Sequence, residues 1–347
     1  MDFFEKDVRS NFVAQQFLDP EILENLEIRL HKAINRLPSP IRERIFQFIC
    51  NMKGKQLRPS LIALTTKFLV DGEDYQEEAM ERSYTSAVVI ELLHNMTLIH
   101  DDLIDNAPVR RGCDSFHIVH GNDRALHDGD VLHAFALTLI KAADPSLDII
   151  LDYAYRVGIG NAMELEDRLI ENFNFDKAHI IQIMELKTAI VFAGCVRLGC
   201  LAARREELFT QRLEKAIISA GIAFQIQDDY LDILGNPETF GKVQYWDIQE
   251  SKRNLFLYFA LQTNMADKIK EIYNKPVGQK TKEDIQLILD VFRSVNTQVR
   301  EVREHYSKLA ITELSAIQDE LDNKDENATA LFDFLILLVK YLVEREK

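Results

Sequence analysis

Helix breakers are scarce in this sequence, with 13 glycines and 8 prolines among 347 residues. Beside abundant Ala, Leu, Glu, Lys and Ile, so few breakers point to an all-α protein. Cysteine is rare too. Cys50, Cys113, Cys195 and Cys200 include no CxxC pair, so reduced cytosolic thiols are expected rather than a disulfide framework. Positive charge is in deficit: 41 Lys and Arg stand against 56 Asp and Glu, a net charge of −15. That balance excludes the basic field on which nonspecific nucleic-acid binding relies, and it suits metal ions. The opening "MDFFEKDVRS" puts charges where a signal peptide needs an apolar run. No uncharged apolar stretch reaches the ~18 residues of a membrane span. A soluble, cytoplasmic protein is expected.

What is present is a large helical chain. A hydrophobic share of 47% is ample for a sizeable core. Asp19 and Pro20 open a first helix as cap and first-turn residue, with Ile22, Leu23, Leu26, Ile28 and Leu30 near helical spacing. "SPIRERIFQFICNM" opens a second, and "RPSLIALTTKFLV" forms a third. From Tyr75 to Asp105 nothing interrupts a long helix. Further helices are expected near 122–143, 148–171, 176–203, 206–233, 250–273, 281–303, 305–322 and 327–346. No linker or low-complexity tract divides the chain, so residues 1–347 are expected to form one helical domain.

Two acidic clusters follow apolar helical runs: "LIHDDLIDN" (98–106) and "QIQDDYLDI" (225–233). On a helix Asp101 and Asp105 share a face, as do Asp228 and Asp232, with Asp102 and Asp229 beside them. One such cluster alone reads as a solvated face. Two copies, each behind an apolar run, belong inside a bundle, where carboxylates need partners or metal. Magnesium uses one or two carboxylates and takes the rest of its shell from water and phosphate oxygens. Two facing clusters therefore suggest a diphosphate clamp. Basic residues gather around them: Lys53, Lys55 and Arg58 in "KGKQLRP", Arg110 and Arg111 in "VRRG", Lys187 beside Thr188 in "LKTAI", and Lys242 and Lys252 in "FGKVQYWDIQESK". Singly, each reads as surface charge.

Together, "GKQLRP", "LLHNMTLIHDDLIDNAPVRRG", "HGNDRALHDGDVL", "KTA" and "FQIQDDYLDILGNPETFGK" resemble the trans-isoprenyl diphosphate synthases, in the family's order from about Lys53 to Lys252. The resemblance implies an antiparallel α-bundle around a deep apolar cavity, usually a homodimer. It implies three magnesium ions on Asp101, Asp105 and Asp228, supported by Asp102, Asp229 and Asp232. Arg110, Lys187, Gln225 and Lys242, with Lys252 nearby, hold an allylic diphosphate. Lys55, Arg58, His94 and Arg111 bind isopentenyl diphosphate, and Thr188 and Gln225 face the allylic cation. The sequence departs from the family at "GNAMEL", where Asn161 and Glu164 replace the usual Gln and Asp, at Tyr245, which stands in place of a Gly and is followed by Trp246, and at "ESK" for EGK.

A helix rises about 1.5 Å per residue, which puts Met96 and Thr97 one turn beyond Asp101, where the growing tail should meet a floor; His133 is a second candidate. No aromatic stands at Met96 or Thr97 on the long helix, which favours geranylgeranyl diphosphate, with farnesyl or a longer product as alternatives. A class I terpene cyclase would share the acidic clusters without needing Lys55, Arg58 and His94. A noncatalytic partner subunit would have lost acidic ligands that this chain keeps.

Overall fold

The computed structural model describes residues 19–51, 54, 56–169, 173–235, 245–321 and 326–344. Lys53, Lys55 and Lys242 lie outside the described residues. Helix α1 (Pro20–Ile34) begins where Asp19 accepts the Glu21 amide at 2.9 Å, and Lys67 reaches the same carboxylate. Helices α2 (Ile41–Asn51), α3 (Leu57–Leu69) and α4 (Glu73–Ile104) follow. The 32 residues of α4 span about 48 Å. Its second half buries Ala87, Val88, Val89, Ile90, Leu92 and Leu93 on all sides, as a central helix must.

A two-residue hairpin comes next, β1 (Val109–Arg110) against β2 (Cys113–Asp114), with Arg110 opposite Cys113. The helical periodicity gave no warning of it. Its signal is local: Arg111 and Gly112 both take positive φ, 51° and 77°, the turn whose twist matches a tight hairpin. Short α5 (Phe116–His120), α6 (Asn122–Leu137), α7 (Ser146–Leu169) and α8 (Lys177–Met184) lead to a π-helical turn, Glu185–Ala189. Then come α9 (Ile190–Ala202) and the 28-residue α10 (Glu207–Leu234).

After short α11 (Trp246–Gln249), the expected helix at 250–273 is two pieces, α12 (Leu255–Ala260) and α13 (Ala266–Tyr273). Asn254 restarts the chain by accepting the Leu257 amide at 3.0 Å, which is N-cap chemistry inside an apolar run. The last boundary also moves: α14 (Lys282–Ser294) stops at Val295, and α15 (Asn296–Glu320) runs unbroken through 303–305 before α16 (Glu326–Glu344).

Two apolar clusters form the interior. One draws on α1–α7, α9 and α16, the other on α8 and α11–α14, and α15 gives Ala310, Leu314 and Ile317 to the first and Val299 to the second. Helix α10 serves both. Leu213, Ala216, Ile217, Ala220 and Phe224 face the first, while Ile222, Ile226 and Ile233 face the second from the opposite side of the helix. With two faces committed to packing, one flank remains, and it carries Gln225, Asp228, Asp229 and Asp232. The run Lys177–Ala202 is long and apolar enough by composition to cross a membrane, and 67% of its most apolar window is buried inside the bundle.

Candidate active site

The first acidic motif ends α4. Asp105 caps the helix, its amide bonded to the Asp101 carbonyl at 2.8 Å. Carboxylates here meet the negative end of the helix dipole, so the geometry favours a bound cation. Burial pushes Asp101 above the ordinary carboxylate range; Lys187 opposes that, and Asp105 and Glu164 add to it. Asp102 is turned elsewhere. It is 1% exposed and accepts from Arg110, whose Nε lies 2.7 Å from both of its oxygens and whose Nη2 also donates to Oδ1, so hairpin and helix end are locked together.

The same hairpin turn lays the Arg111 guanidinium against Gly54; a Cβ on Gly54 would lie 2.7 Å from Arg111 Nη2. The "GKQLRP" and "VRRG" segments thereby meet. Arg58 Nη1 donates to His94 Nε2 at 3.2 Å, and its guanidinium lies 4.7 Å from the centre of the Phe192 ring. Burial, then Arg58 and Arg111, hold the His94 imidazole well below its usual pKa, so it is a neutral acceptor. Burial also lowers both arginines, and Glu91 opposes this. Glu91, 7% exposed and bonded by Asn95 Nδ2 at 3.0 Å, is the acidic side chain of this pocket; burial raises its carboxyl above the usual range, and Asn95, Arg58 and Arg111 oppose that. Sequence reasoning did not single it out; its signal is a Glu one turn before His94 inside an apolar run.

Lys187 and Thr188 sit in the π turn, a geometry that recurs at functional sites because it widens one turn of a helix. Two glycines make room for it. A Cβ on Gly160 of α7 would come within 2.9 Å of Lys187 N, and one on Gly221 of α10 within 2.5 Å of Ala189 Cα. The backbones of α7 and α10 therefore press on the turn from both sides. That places Lys187 Nζ 2.5 Å from Glu164 Oε2, the residue that departs from the family's Asp. Burial works against the charge on Lys187, but Asp101 and Glu164 outweigh it and hold its pKa up.

Across the site Thr188 Oγ1 donates to Gln225 Oε1 at 2.8 Å, and Gln225 Nε2 donates to Asp229 Oδ1 at 2.9 Å. The KT and second acidic motifs are thus one hydrogen-bonded chain. Burial, then the nearby Asp247, lift Asp229 to about 7. Lys252 pairs with Asp247 at 3.1 Å and lies in the field of Glu164, Asp105 and Asp229, which together outweigh burial and raise its pKa well above the usual value. One ammonium therefore faces both acidic motifs. Ser251 stands where the family has Gly and takes φ 58°; its hydroxyl donates to the Tyr273 carbonyl at 2.7 Å, a bond that offsets the left-handed backbone. Asp247 was not among the sequence candidates.

The site is thus rich in carboxylates, with Lys187 and Lys252 as the lysines set among them. Among the described residues no three His, Cys, Asp or Glu side chains converge into a protein-only metal site. That donor chemistry fits a cation that completes its shell with water and phosphate oxygens. Of the tail-length candidates, Met96 is half-buried and packs on the first apolar cluster. Thr97 donates its hydroxyl to the His94 carbonyl at 2.8 Å, and His133 is half-buried on α6. An apolar cavity of about 20 Å³ lies between α3, α9, α10 and α16, lined by residues that include Phe192, Phe224, Leu335 and Leu338 and none of those three.

Residues 39–291 match the family model for polyprenyl synthetase. The chain is 29% identical over 341 residues to a geranylgeranyl diphosphate synthase of Saccharolobus solfataricus, covering 94% of this chain and 97% of the relative. It is 30% identical over 308 residues to a geranylfarnesyl diphosphate synthase of Aeropyrum pernix, covering 85% and 91%. In fold it is similar to a polyprenyl synthase from Caulobacter crescentus solved with calcium and isoprenyl diphosphate (TM-score 0.81, 22% identity, 94% and 95% covered). A geranylgeranyl pyrophosphate synthetase from Pyrococcus horikoshii is similar too (TM-score 0.79, 24% identity, 97% and 99% covered). The chain belongs to the polyprenyl synthetase family of prenyl-transferring enzymes.

Proposed function

We propose that this enzyme joins isopentenyl diphosphate head to tail to an allylic diphosphate and releases geranylgeranyl diphosphate, acting as a single domain and a cytoplasmic homodimer. The observation that carries the reading is the pairing of two distinct anion sites. One is the carboxylate-rich cleft with Lys187 and Lys252; the other is the cationic pocket of Arg58, Arg111 and neutral His94. A reaction between two diphosphates needs both.

In this reading Asp101, Asp105 and Asp228 hold three magnesium ions, and Asp229 and Asp232 support them. Magnesium, when bound, supplies charge neutralisation at the departing diphosphate. Lys187 and Lys252, with Lys242, bind the allylic diphosphate oxygens and stabilise their growing charge. Arg110 keeps Asp102 neutralised and the helix end in place, and is available to the same diphosphate. The oxygens of Thr188 and Gln225 are set in the π turn and on the flank of α10 to face the allylic carbon as positive charge develops there. Arg58, Arg111, His94 and Lys55 orient isopentenyl diphosphate for attack. After attack, the proton lost from the isopentenyl carbon beside the new cation, which restores a double bond, goes to the released diphosphate, so no side-chain base is required. Apolar walls keep out the water that would quench the cation.

Incubation with magnesium, labelled isopentenyl diphosphate and each allylic primer, followed by chromatography of the dephosphorylated products, tests this directly. A twenty-carbon alcohol is expected. Hydrocarbon formed without isopentenyl diphosphate would instead identify a terpene cyclase, and no product with any primer would refute prenyl transfer. Product length gives a finer check. Met96→Phe adds bulk beside the expected tail path and should shift products toward fifteen carbons, whereas His133→Ala should lengthen them; unchanged distributions in both folded variants would sink this floor.

What supports the proposed dimer is an apolar stripe. Leu151, Tyr155 and Ile159 recur every four residues on the outer face of α7 and are 43%, 70% and 40% exposed, with Leu126 and Val131 of α6 also exposed. Exposed apolar positions of this kind suit an interface. Ile159→Asp should halve the mass measured by light scattering; an unaltered mass would exclude this face.

A further inference from the structure

We infer that Trp246 is a positioning residue of the diphosphate site: its indole N–H latches the turn carrying Asp247 and Lys252 onto the end of the first acidic helix. The inference rests on reading the two acidic motifs as that site.

Trp246 is the only tryptophan in the chain. Its Nε1 donates to the carbonyl oxygen of Asp105 at 3.1 Å, across 141 positions of sequence. Helix C-termini leave their last carbonyls without intrahelical donors, and Asp105 is the capping residue of α4. The tryptophan supplies such a donor from the other half of the molecule. It is half-buried and belongs to neither apolar cluster, although its neighbour Tyr245 packs against the second. Packing the core therefore does not account for it.

The turn it begins is rigid. Tyr245 takes φ 62°, and its carbonyl accepts the amides of Ile248 and Gln249, both at 3.1 Å. Ile248, 1% exposed, plugs the second cluster. Lys280 Nζ holds the Gln249 carbonyl at 2.7 Å. Between these anchors Asp247 pairs with Lys252, and the Lys252 amide bonds back to the Asp247 carbonyl at 3.0 Å. The turn is thus fixed to the second cluster at its far side and to Asp105 at its near side. Asp105 is touched twice by this segment: Trp246 binds its carbonyl, and its carboxylate lies in the field of Lys252. The indole bond therefore sets how far Lys252 and Asp247 stand from the first motif.

The test uses the intact protein, with magnesium and inorganic pyrophosphate as the probe. Excited at its single tryptophan, the wild type should show an emission change that saturates along the pyrophosphate binding curve measured by calorimetry. Trp246→Phe keeps an aromatic ring and removes the N–H. It should raise KM for the allylic substrate or lower kcat by roughly fivefold, the order of one hydrogen bond, and leave KM for isopentenyl diphosphate within twofold. Calorimetric binding with no emission change, or a Phe variant with wild-type allylic kinetics, would overturn the latch alone. Equal losses in both KM values together with a lowered Tm would reassign Trp246 to stability. No pyrophosphate binding at all would refute the reading of the acidic site itself.

Discussion

Asp101→Ala and Asp228→Ala should each lower kcat roughly 10³-fold at saturating magnesium, the scale on which removal of a single charge-stabilising group acts. Both variants should fold. Asp101 is lifted by burial and crowded by Asp105 and Glu164, so deleting it relieves repulsion. Like charges one helical turn apart cost a few tenths of a kcal/mol. Neither lysine is orphaned, because Lys187 keeps Glu164 and Lys252 keeps Asp247. The loss should therefore appear in turnover and not in the thermal melt. Near-normal product formation by either variant would refute the assignment of the acidic motifs.

Arg58→Ala should raise KM for isopentenyl diphosphate roughly 10- to 100-fold, the equivalent of the ~1.5–3 kcal/mol that a charge-assisted hydrogen bond contributes. The KM for the allylic substrate should hardly move, because among the described residues Arg58 contacts His94 and Phe192 on the cationic side, and its acidic neighbour is Glu91, a member of neither acidic motif. Arg58→Lys should fall between the two. It keeps the charge but loses the planar group that stacks on Phe192 and presents parallel donors. Separate titrations of the two substrates check the result. If only the allylic KM rose, the two diphosphate sites would have to be exchanged.

Much of the site lies in short stretches whose order along the chain is enough to read. The aspartates, the basic boxes and the Lys-Thr pair occur at spacings that helix geometry converts into shared faces. That conversion works because α4 and α10 are regular to their last turns. It fails where the chain is irregular. Nothing in the periodicity separates the π turn at 185–189 from the α-helix on either side. The turn depends on two distant glycines, Gly160 and Gly221, that let foreign backbones press on it. Glu164 and Asp247 were missed as partners for the same reason. Each is an unremarkable acid locally and becomes significant only beside Lys187 or Lys252.

Helical class, the run of the long helices and the membership of the acidic and basic sets follow from the sequence by itself, since they depend on local propensity and on spacings within one element. Tertiary structure alone decides which charges neutralise which. Asp102 goes to Arg110 while Asp101 stays in the cleft, and adjacent residues on one helix end thereby take different roles. Side-chain alternation can point two neighbours apart, but only packing determines what waits in each direction. The same holds for Trp246, whose partner carbonyl is 141 positions away. A hydrogen bond of that separation exists only once both apolar clusters have formed and brought the two helix ends together.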